Sequence, residues 1–234
     1  MFCGGFRSDM AGTKATALDA WAQSAGRAFV RFDYRGHGAS SGAFTDGTIG
    51  LWRNDALLVL DQLGAGPTVI VGSSMGAWIA LLGALARPQR VCGLVLVAPA
   101  VDFTEALIWN RLPDEARSTL MRDGVWQRPS EYTDEPDRIT RRLIEDGRKH
   151  LLLGGPIAFD KPVRILHGLA DETVPWEHGL RTAEALTSTD VTVTLIKGGD
   201  HRLSDPAALD RLTTALDEIV NATDPSGPRG SSAT

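Results

Sequence analysis

The sequence has no run of about twenty consecutive apolar residues, the length that a membrane-spanning helix requires. It also lacks an excess of basic residues, because the formal net charge is -5. The acidic balance argues against a nucleic-acid surface and against a polybasic attachment to membranes. We therefore expect no nucleic-acid partner and no stable insertion in a membrane. Nothing in the composition specifies an oligomeric state.

Cysteine is scarce as well. The two cysteines, Cys3 and Cys92, lie in or beside apolar runs and have no metal-like spacing. So few thiols in 234 residues do not support a disulfide framework. Residues 1–7 lack the basic stretch and the apolar run of a signal peptide. These observations lead us to expect a protein of the reducing cytoplasm.

The order of apolar runs predicts one α/β domain. Short apolar runs alternate with helical patterns, which is typical of a mostly parallel sheet with helices on both faces. The domain is predicted to cover residues 1–222. The predicted strands are residues 28–32, 68–71, 91–97, 163–166 and 191–196. The predicted helices are one around Leu18 to Ala25, then residues 48–63, 75–86 and 176–186, and a last helix that begins after Ser204-Asp205-Pro206.

Two segments depart from this alternation. From about residue 102 to residue 160, charges of both signs, tryptophans and prolines replace the regular pattern, and we predict an inserted helical cap. Residues 223–234 consist mainly of Ser, Gly, Pro, Thr and Ala, which predicts a disordered tail.

The strongest chemical signal is the pentapeptide Gly72-Ser73-Ser74-Met75-Gly76. It has the form G-x-S-x-G, with a β-branched run directly before it and a helical run directly after it. A sharp strand-to-helix turn needs residues almost without side chains two positions before and two positions after its apex. Such a turn presents Ser74 at the N-terminus of a helix as a nucleophile. The alternative is a glycine-lined turn with a capping serine.

A serine hydroxyl needs a base to remove its proton, and five histidines are available. His201 follows the predicted strand 191–196, so its loop opens at the same sheet edge as the serine turn, and we predict that it is the base. His37 lies in a glycine-rich loop and is a candidate for the lining of the site. His167 is expected to be packed or bonded to backbone, whereas His150 and His178 are expected to be solvated.

The carboxylate that orients the base should lie between the serine and the histidine in the chain. Asp171 does so, directly after the predicted strand 163–166. Its rivals are Glu172, the next residue, and Asp200, which precedes the histidine. We predict Asp171, because its loop belongs to a neighbouring strand end, and we expect Asp200 to shape its own turn.

An oxyanion in this reaction requires two backbone N–H donors. Met75, the residue after the nucleophile, is predicted to supply one. The other is predicted to be Phe6, since the pair Gly4-Gly5 before it allows a close approach of the backbone. Alternatively, the glycine pair forms only a turn.

With these residues the chain resembles the α/β-hydrolase superfamily from residue 5 to about residue 220. Within it, the sequence is similar to the family of mitochondrial palmitoyl-protein thioesterases, also called mycophenolic acid acyl-glucuronide esterases, and their bacterial relatives. The pentapeptide lies in a matching segment, residues 71–78, in which Ala77 stands where the family leads us to expect glycine. Further matching segments are Arg31-Phe32-Asp33-Tyr34, Gly124-Val125-Trp126, His167-Gly168, Val174-Pro175-Trp176 and Asp200-His201-Arg202.

The resemblance implies hydrolysis of acyl thioesters or carboxylic esters through an acyl-enzyme, without a cofactor or a metal. It places Ser74, Asp171 and His201 on the triad positions and Phe6 and Met75 on the oxyanion positions. The implied substrate is a small molecule or an acylated protein. The alternatives are a general small-molecule carboxylesterase and a non-catalytic ligand-binding protein. Members of that family carry additional residues ahead of the strand that leads to Phe6, whereas this chain begins almost within that strand, which suggests a start placed too late or a truncated chain.

Overall fold

The computed structural model describes residues 1–62, 66–128 and 136–223. Seven strands and seven α-helices are found in these ranges, with short 3₁₀ and π segments between them. The strands are β1 (Phe2–Cys3), β2 (Thr68–Ser73), β3 (Val91–Val97), β4 (Val125–Arg128), β5 (Asp137–Thr140), β6 (Val163–Gly168) and β7 (Val191–Ile196). The helices are α1 (Thr13–Ser24), α2 (Ile49–Gln62), α3 (Met75–Ala86), α4 (Asp114–Asp123), α5 (Arg141–Gly147), α6 (Trp176–Ala185) and α7 (Pro206–Thr223).

Five strands form one parallel sheet in the order β1-β2-β3-β6-β7. Parallel strands all end at the same edge of a sheet, and the loops beyond that edge meet there. The loops after β1, β2, β6 and β7 carry Phe6, Ser74, Asp171 and His201, respectively. The topology therefore gathers residues that are up to about two hundred positions apart in the chain.

Successive strand residues point to opposite sides of the sheet. Each face therefore carries its own apolar side chains, and different helices cover the two faces. On one face, Val71 and Val95 pack in a cluster with Leu18 of α1 and Leu216 of α7. On the other face, the strand residues pack with α2 and α3. Ten of the twelve residues of α3, from Met75 to Ala84, are buried. A helix that is apolar on all sides is stable only in such a buried layer.

The predicted strand at residues 28–32 is wrong. This segment forms only one isolated bridge, between Arg31 and Phe2, and the Phe2 N–H donates to Val30 O at 2.9 Å. Ladder pairing requires a partner strand, and the partner β1 has two residues. The segment thus follows the sheet edge without becoming a strand. The predicted end of α2 at residue 63 lies outside the described residues, as do residues 224–234 of the predicted tail.

The segment predicted as a helical cap is of mixed structure. It contains α4, α5 and shorter helical turns, but it also contains the antiparallel pair of β4 and β5, with Val125 opposite Thr140. The prediction of a helical cap is therefore wrong for these two strands. Residues 129–135, which join them, lie outside the described residues.

The start of this segment is hydrogen-bonded to residues close to its end. Asp102 is buried with a φ of 58°, and its carboxylate accepts the N–H groups of Leu152 and Leu153 at 2.8 to 3.1 Å. Beside it, His178 of α6 lies with Nε2 2.6 Å from Val101 O. The segment therefore leaves and re-enters the domain at one hydrogen-bonded point.

Candidate active site

Ser74 lies at the apex of a strained turn between β2 and α3. Its backbone has φ 55° and ψ -120°, a conformation that is costly for a residue with a side chain. Its N–H donates to Val97 O at 2.8 Å, and its carbonyl accepts the Ala100 N–H at 3.2 Å. The turn is thus held by hydrogen bonds to the neighbouring strand and the segment that follows it.

The two glycines of the pentapeptide are required by space. A Cβ at Gly72 would lie 2.5 Å from Gly76 O, and a Cβ at Gly76 would lie 2.0 Å from Cys3 O and 2.5 Å from Gly4 O. Gly72 therefore lets the turn close, and Gly76 lets α3 approach the loop after β1. Gly76 therefore belongs to the turn and also allows the predicted oxyanion loop to lie next to that turn.

The three predicted triad residues are brought together in one hydrogen-bonded chain. His201 Nε2 lies 3.0 Å from Ser74 Oγ, and His201 Nδ1 lies 2.8 Å from Asp171 Oδ2. With the proton on Nδ1, His201 donates to the carboxylate and leaves Nε2 free to accept the serine proton.

Asp171 is held as a buried carboxylate. Its Oδ1 accepts the N–H groups of Thr173 at 3.0 Å and Val174 at 2.8 Å. Its Oδ2 lies 3.2 Å from His167 Nε2 in addition to His201 Nδ1. Burial alone would raise the pKa of Asp171, but the hydrogen bonds from His167, His201 and Val174 outweigh it and hold the pKa well below the usual value. The group is therefore ionised at neutral pH.

His167 contacts Asp171, and the sequence did not predict this contact. It is completely buried, and its Nε2 also lies 2.9 Å from Val174 O, an acceptor, so Nε2 carries a proton. Its Nδ1 has no hydrogen-bond partner in the described part of the chain. The expectation of a packed histidine bonded to backbone agrees with this position, and the contact with Asp171 adds to it.

The loop after β1 lies against the serine. A Cβ at Gly5 would come within 3.4 Å of Ser74 Cβ, which makes room for the close approach that the glycine pair was predicted to allow. The Phe6 N–H donates to no backbone carbonyl among the described residues. The Met75 N–H belongs to the first turn of α3, where backbone donors have no partner within the helix.

A cavity of about 490 Å³ opens above Ser74 and His201. One part of its wall is apolar, with Phe6 and, from the segment after β3, Phe103, Leu107 and Ile108. Another part is polar and includes Asp9, Lys14 and Arg202. Burial lowers the pKa of Lys14 to about 8, although Asp200 opposes the effect. A single site therefore combines an apolar compartment and a charged one.

The remaining candidates lie outside the hydrogen-bonded chain. Glu172 is exposed, and Asp200 Oδ1 accepts the Leu203 N–H at 2.8 Å, so it shapes its own turn as predicted. His178 is buried and His150 is half-buried with its Nε2 3.6 Å from Asp146, so the prediction that they are solvated is wrong. Among the described residues, no group of three His, Cys, Asp or Glu side chains is placed to hold a metal ion.

Comparison with known proteins identifies the fold family. A model of the alpha/beta hydrolase family matches residues 4–212. The chain belongs to this family. The predicted fold class and the predicted resemblance are thereby confirmed.

This α/β hydrolase is similar to palmitoyl-protein thioesterase ABHD10, mitochondrial, from Bos taurus, with 41% identity over 94% of the chain and 72% of the relative. The human protein of the same name is 40% identical over the same shares. Among solved structures, alpha/beta hydrolase domain-containing protein 10 from mouse matches with a TM-score of 0.88 and 40% identity over 95% of this chain and 89% of that one. The crystal structure of a protein named as a hydrolase, from Agrobacterium vitis S4, matches with a TM-score of 0.91 and 47% identity over 94% of this chain and 86% of that one.

These relatives confirm that this α/β hydrolase is an enzyme of the ester and thioester hydrolase type. They also correct one expectation. Five curated relatives are named as mitochondrial, so the prediction of a cytoplasmic protein is wrong. A low cysteine content indicates a reducing compartment, and it does not distinguish one such compartment from another. Within the described residues, no helix is long and apolar enough to cross a membrane.

Proposed function

We propose that the chain is a serine hydrolase that cleaves acyl thioesters through an acyl-enzyme on Ser74, with long-chain acylated proteins as its substrate class. The observation that carries this proposal is the unbroken chain from Ser74 Oγ through His201 to the ionised Asp171. The names of the curated relatives, palmitoyl-protein thioesterases, support the substrate class. The alternative is a general carboxylesterase for small oxyesters.

In the proposed reaction, Ser74 Oγ attacks the acyl carbonyl carbon while its proton passes to His201 Nε2. Asp171 stabilises the imidazolium that forms, since its carboxylate accepts from Nδ1. The tetrahedral intermediate collapses, His201 protonates the departing sulfur or oxygen, and the acyl group stays on Ser74. Water then attacks the acyl carbon while His201 Nε2 takes its proton. The bond to Ser74 Oγ breaks, His201 returns the proton to Oγ, and the carboxylic acid is released.

The negative oxygen of each intermediate is proposed to accept the N–H groups of Phe6 and Met75. Met75 directly follows Ser74, and Phe6 directly follows Gly5, which lies against Ser74, so neither donor requires a side chain to move during the reaction. Preorganised donors of this kind account for a large part of the rate enhancement in acyl transfer.

The apolar wall formed by Phe103, Leu107 and Ile108 is proposed to bind the acyl chain. All three residues belong to the predicted cap, residues 102–160, which we propose as the part of the chain that sets acyl specificity. Burial of hydrocarbon gains about 0.8 kcal/mol per methylene, so a longer acyl chain binds more tightly until this wall ends.

The experiment compares matched oxyesters and thioesters of increasing acyl length, with the wild type, Ser74→Ala and the exposed control Ser118→Ala. Removal of the nucleophile should lower kcat by several orders of magnitude, while Ser118→Ala should match the wild type. A preference for long-chain thioesters supports the proposal, and a preference for short oxyesters favours the carboxylesterase. Activity that survives Ser74→Ala contradicts the serine mechanism.

A further inference from the structure

The loop that follows residues 28–32, the segment parallel to β1, supports the backbone of the predicted oxyanion loop, residues 4–10 after β1. This supporting loop, residues 33–38, has the sequence Asp-Tyr-Arg-Gly-His-Gly. Its His37 Nε2 lies 3.2 Å from the Arg7 N–H, directly after Phe6. Its Asp33 Oδ1 lies 2.7 Å from the Met10 N–H. Two side chains of one loop thus accept backbone N–H groups on the C-terminal side of Phe6.

On the other side of Phe6, the Gly5 carbonyl accepts two hydrogen bonds from Ser8. The Ser8 hydroxyl donates at 2.8 Å and the Ser8 N–H at 3.2 Å. The Gly5 carbonyl and the Phe6 N–H belong to one planar trans peptide and point in opposite directions. Ser8 therefore fixes one peptide plane next to Phe6, and His37 fixes the following one. Together they determine where the Phe6 N–H is aimed.

The backbone at this point needs such support. Arg7 has a φ of 60°, a conformation that residues with a side chain rarely adopt and that costs free energy. A strained residue keeps its conformation only when its surroundings hold it there. The hydrogen bond of the Arg7 N–H to the imidazole supplies part of that hold.

We propose that His37 is a positioning residue for the oxyanion hole, which it serves by accepting the Arg7 N–H on the unprotonated Nε2 of a neutral imidazole. The proposal rests on the proposed function, because it assigns the Phe6 N–H to the oxyanion.

The surroundings of His37 favour this tautomer. Nδ1 lies 3.4 Å from Arg35 O, an acceptor, so the ring proton belongs on Nδ1. Tyr34, Phe44 and Trp52 surround the ring with edge contacts at 5.1 to 5.5 Å between centroids.

The charged groups near His37 are Asp33 and Asp55, which raise its pKa, and Arg7, which lowers it. Burial exceeds all of them and lowers the pKa of His37. The imidazole is therefore neutral near pH 7, and Nε2 is available as an acceptor.

The supporting loop is itself built to hold this geometry. Gly38 has a φ of 46°, and a Cβ there would lie 2.2 Å from Asp33 Oδ2. The absence of a side chain lets the Asp33 carboxylate lie inside the loop, where it accepts the Ala39 N–H at 2.9 Å as well as the Met10 N–H. The loop and the oxyanion segment are thus locked to one another.

The experiment compares His37→Phe, which keeps an aromatic ring and removes the acceptor, with His37→Gln, whose amide oxygen takes the place of Nε2. His37→Phe should lower kcat about tenfold with little change in KM, since one neutral hydrogen bond supports the loop. His37→Gln should recover most of the loss. Inhibition by a trifluoromethyl ketone, which forms an oxyanion on Ser74, should weaken about as much as kcat, whereas inhibition by the matched methyl ketone should not change.

Equal losses in both variants, or an equal weakening of both ketones, would show a packing role and overturn the proposal. If His37→Phe does not fold, nitrogen NMR of the wild type decides. A coupling across the hydrogen bond between the Arg7 amide and His37 Nε2 supports the proposal, and a proton on Nε2 contradicts it. Because wild-type activity and Ser74→Ala are measured in parallel, a failure of the proposed function is distinguished from a failure of this inference.

Discussion

His167 Nε2 lies 3.2 Å from Asp171 Oδ2, the same carboxylate oxygen that His201 Nδ1 contacts at 2.8 Å. One buried oxygen therefore serves two imidazoles, of which only His201 reaches Ser74. The carboxylate is held on its other oxygen by two backbone N–H groups. Its orientation toward His201 thus depends on a residue that lies outside the proposed triad.

Replacement of His167 should reveal this dependence. His167→Leu removes the Nε2–H group that Val174 O and Asp171 Oδ2 share, and it should lower the free energy of unfolding by about 1.5–3 kcal/mol, the range for a hydrogen bond to a charged group. It should also lower kcat. His167→Gln retains an N–H donor and should lie closer to the wild type in both measurements. Urea unfolding and steady-state kinetics at pH 7 check this, and identical behaviour of the two variants would argue against a role for the donor.

Substitutions at two adjacent carboxylates, Asp171 and Glu172, test which of them orients His201. Asp171→Asn keeps the shape of the side chain but favours the wrong tautomer of His201, and kcat should fall by about 10⁴-fold. Glu172→Gln changes the adjacent exposed residue and should leave kcat near the wild-type value. If Glu172→Gln has the larger effect, the assignment of Asp171 is wrong.

The stability of the protein should depend on Asp171 in acid. Its pKa is lower in the folded chain than the usual value of 3.8, so its ionised form contributes stability above that value. The contribution is lost as the pH falls below about 4 toward the folded pKa. The difference in unfolding free energy between the wild type and Asp171→Asn should therefore be constant from pH 7 to pH 5 and shrink below pH 4. A difference that grows in acid would contradict the ionised state.

Two glycines of α3, Gly76 and Gly83, provide a matched test of the turn at Ser74. Gly76→Ala would place a Cβ 2.0 Å from Cys3 O, so either α3 or the oxyanion loop must shift. We expect a loss of about 1–3 kcal/mol from overpacking, together with a large loss of kcat. Gly83→Ala meets only Ile70 Cδ1 at 3.9 Å and should stabilise the helix by about 0.5–1 kcal/mol. Thermal unfolding and ester hydrolysis of both variants check the contrast.

The regular parts of the fold were predictable because their signals are local. The helix at residues 75–86 and the strands at residues 91–97 and 191–196 have the bounds that the sequence predicted. In each of them, an apolar run ends at glycine, proline or a charged residue. The meeting of Ser74, Asp171 and His201 was predictable for a related reason, since each directly follows a predicted strand or lies in the loop just beyond one, and parallel strands end at one edge.

Features that depend on distant partners were not predictable. The segment 28–32 has strand-forming residues, yet within it only Arg31 forms a β-bridge to the sheet. The pair of β4 and β5 consists of four residues on each side, too short for a clear alternation, although Val125, Ile139 and Thr140 are β-branched. His178 is on a helix with polar neighbours, and its contact with Val101 O joins positions 77 residues apart.

The same limit applies to the residues that support the site. His37 was a candidate for the site lining, but its contact with the Arg7 N–H spans 30 residues and depends on how two loops meet. His167 precedes Asp171 by four positions, and their contact follows from the turn after β6. A signal for both exists in the chain, because each histidine is next to a glycine after a strand-like run.

The hydrogen bonds of Asp102 to Leu152 and Leu153 have a consequence for how such an enzyme changes its range of substrates. Some fifty residues are closed into a loop at its base, while Ser74, Asp171 and His201 lie outside that loop. A graft that keeps the hydrogen bonds of Asp102 can therefore exchange the apolar wall of the cavity without moving the strand ends that carry the proposed triad. Chimeras joined at Asp102 and at Leu152 and Leu153 offer a direct route to new acyl selectivity, with Ser74, Asp171 and His201 left in place.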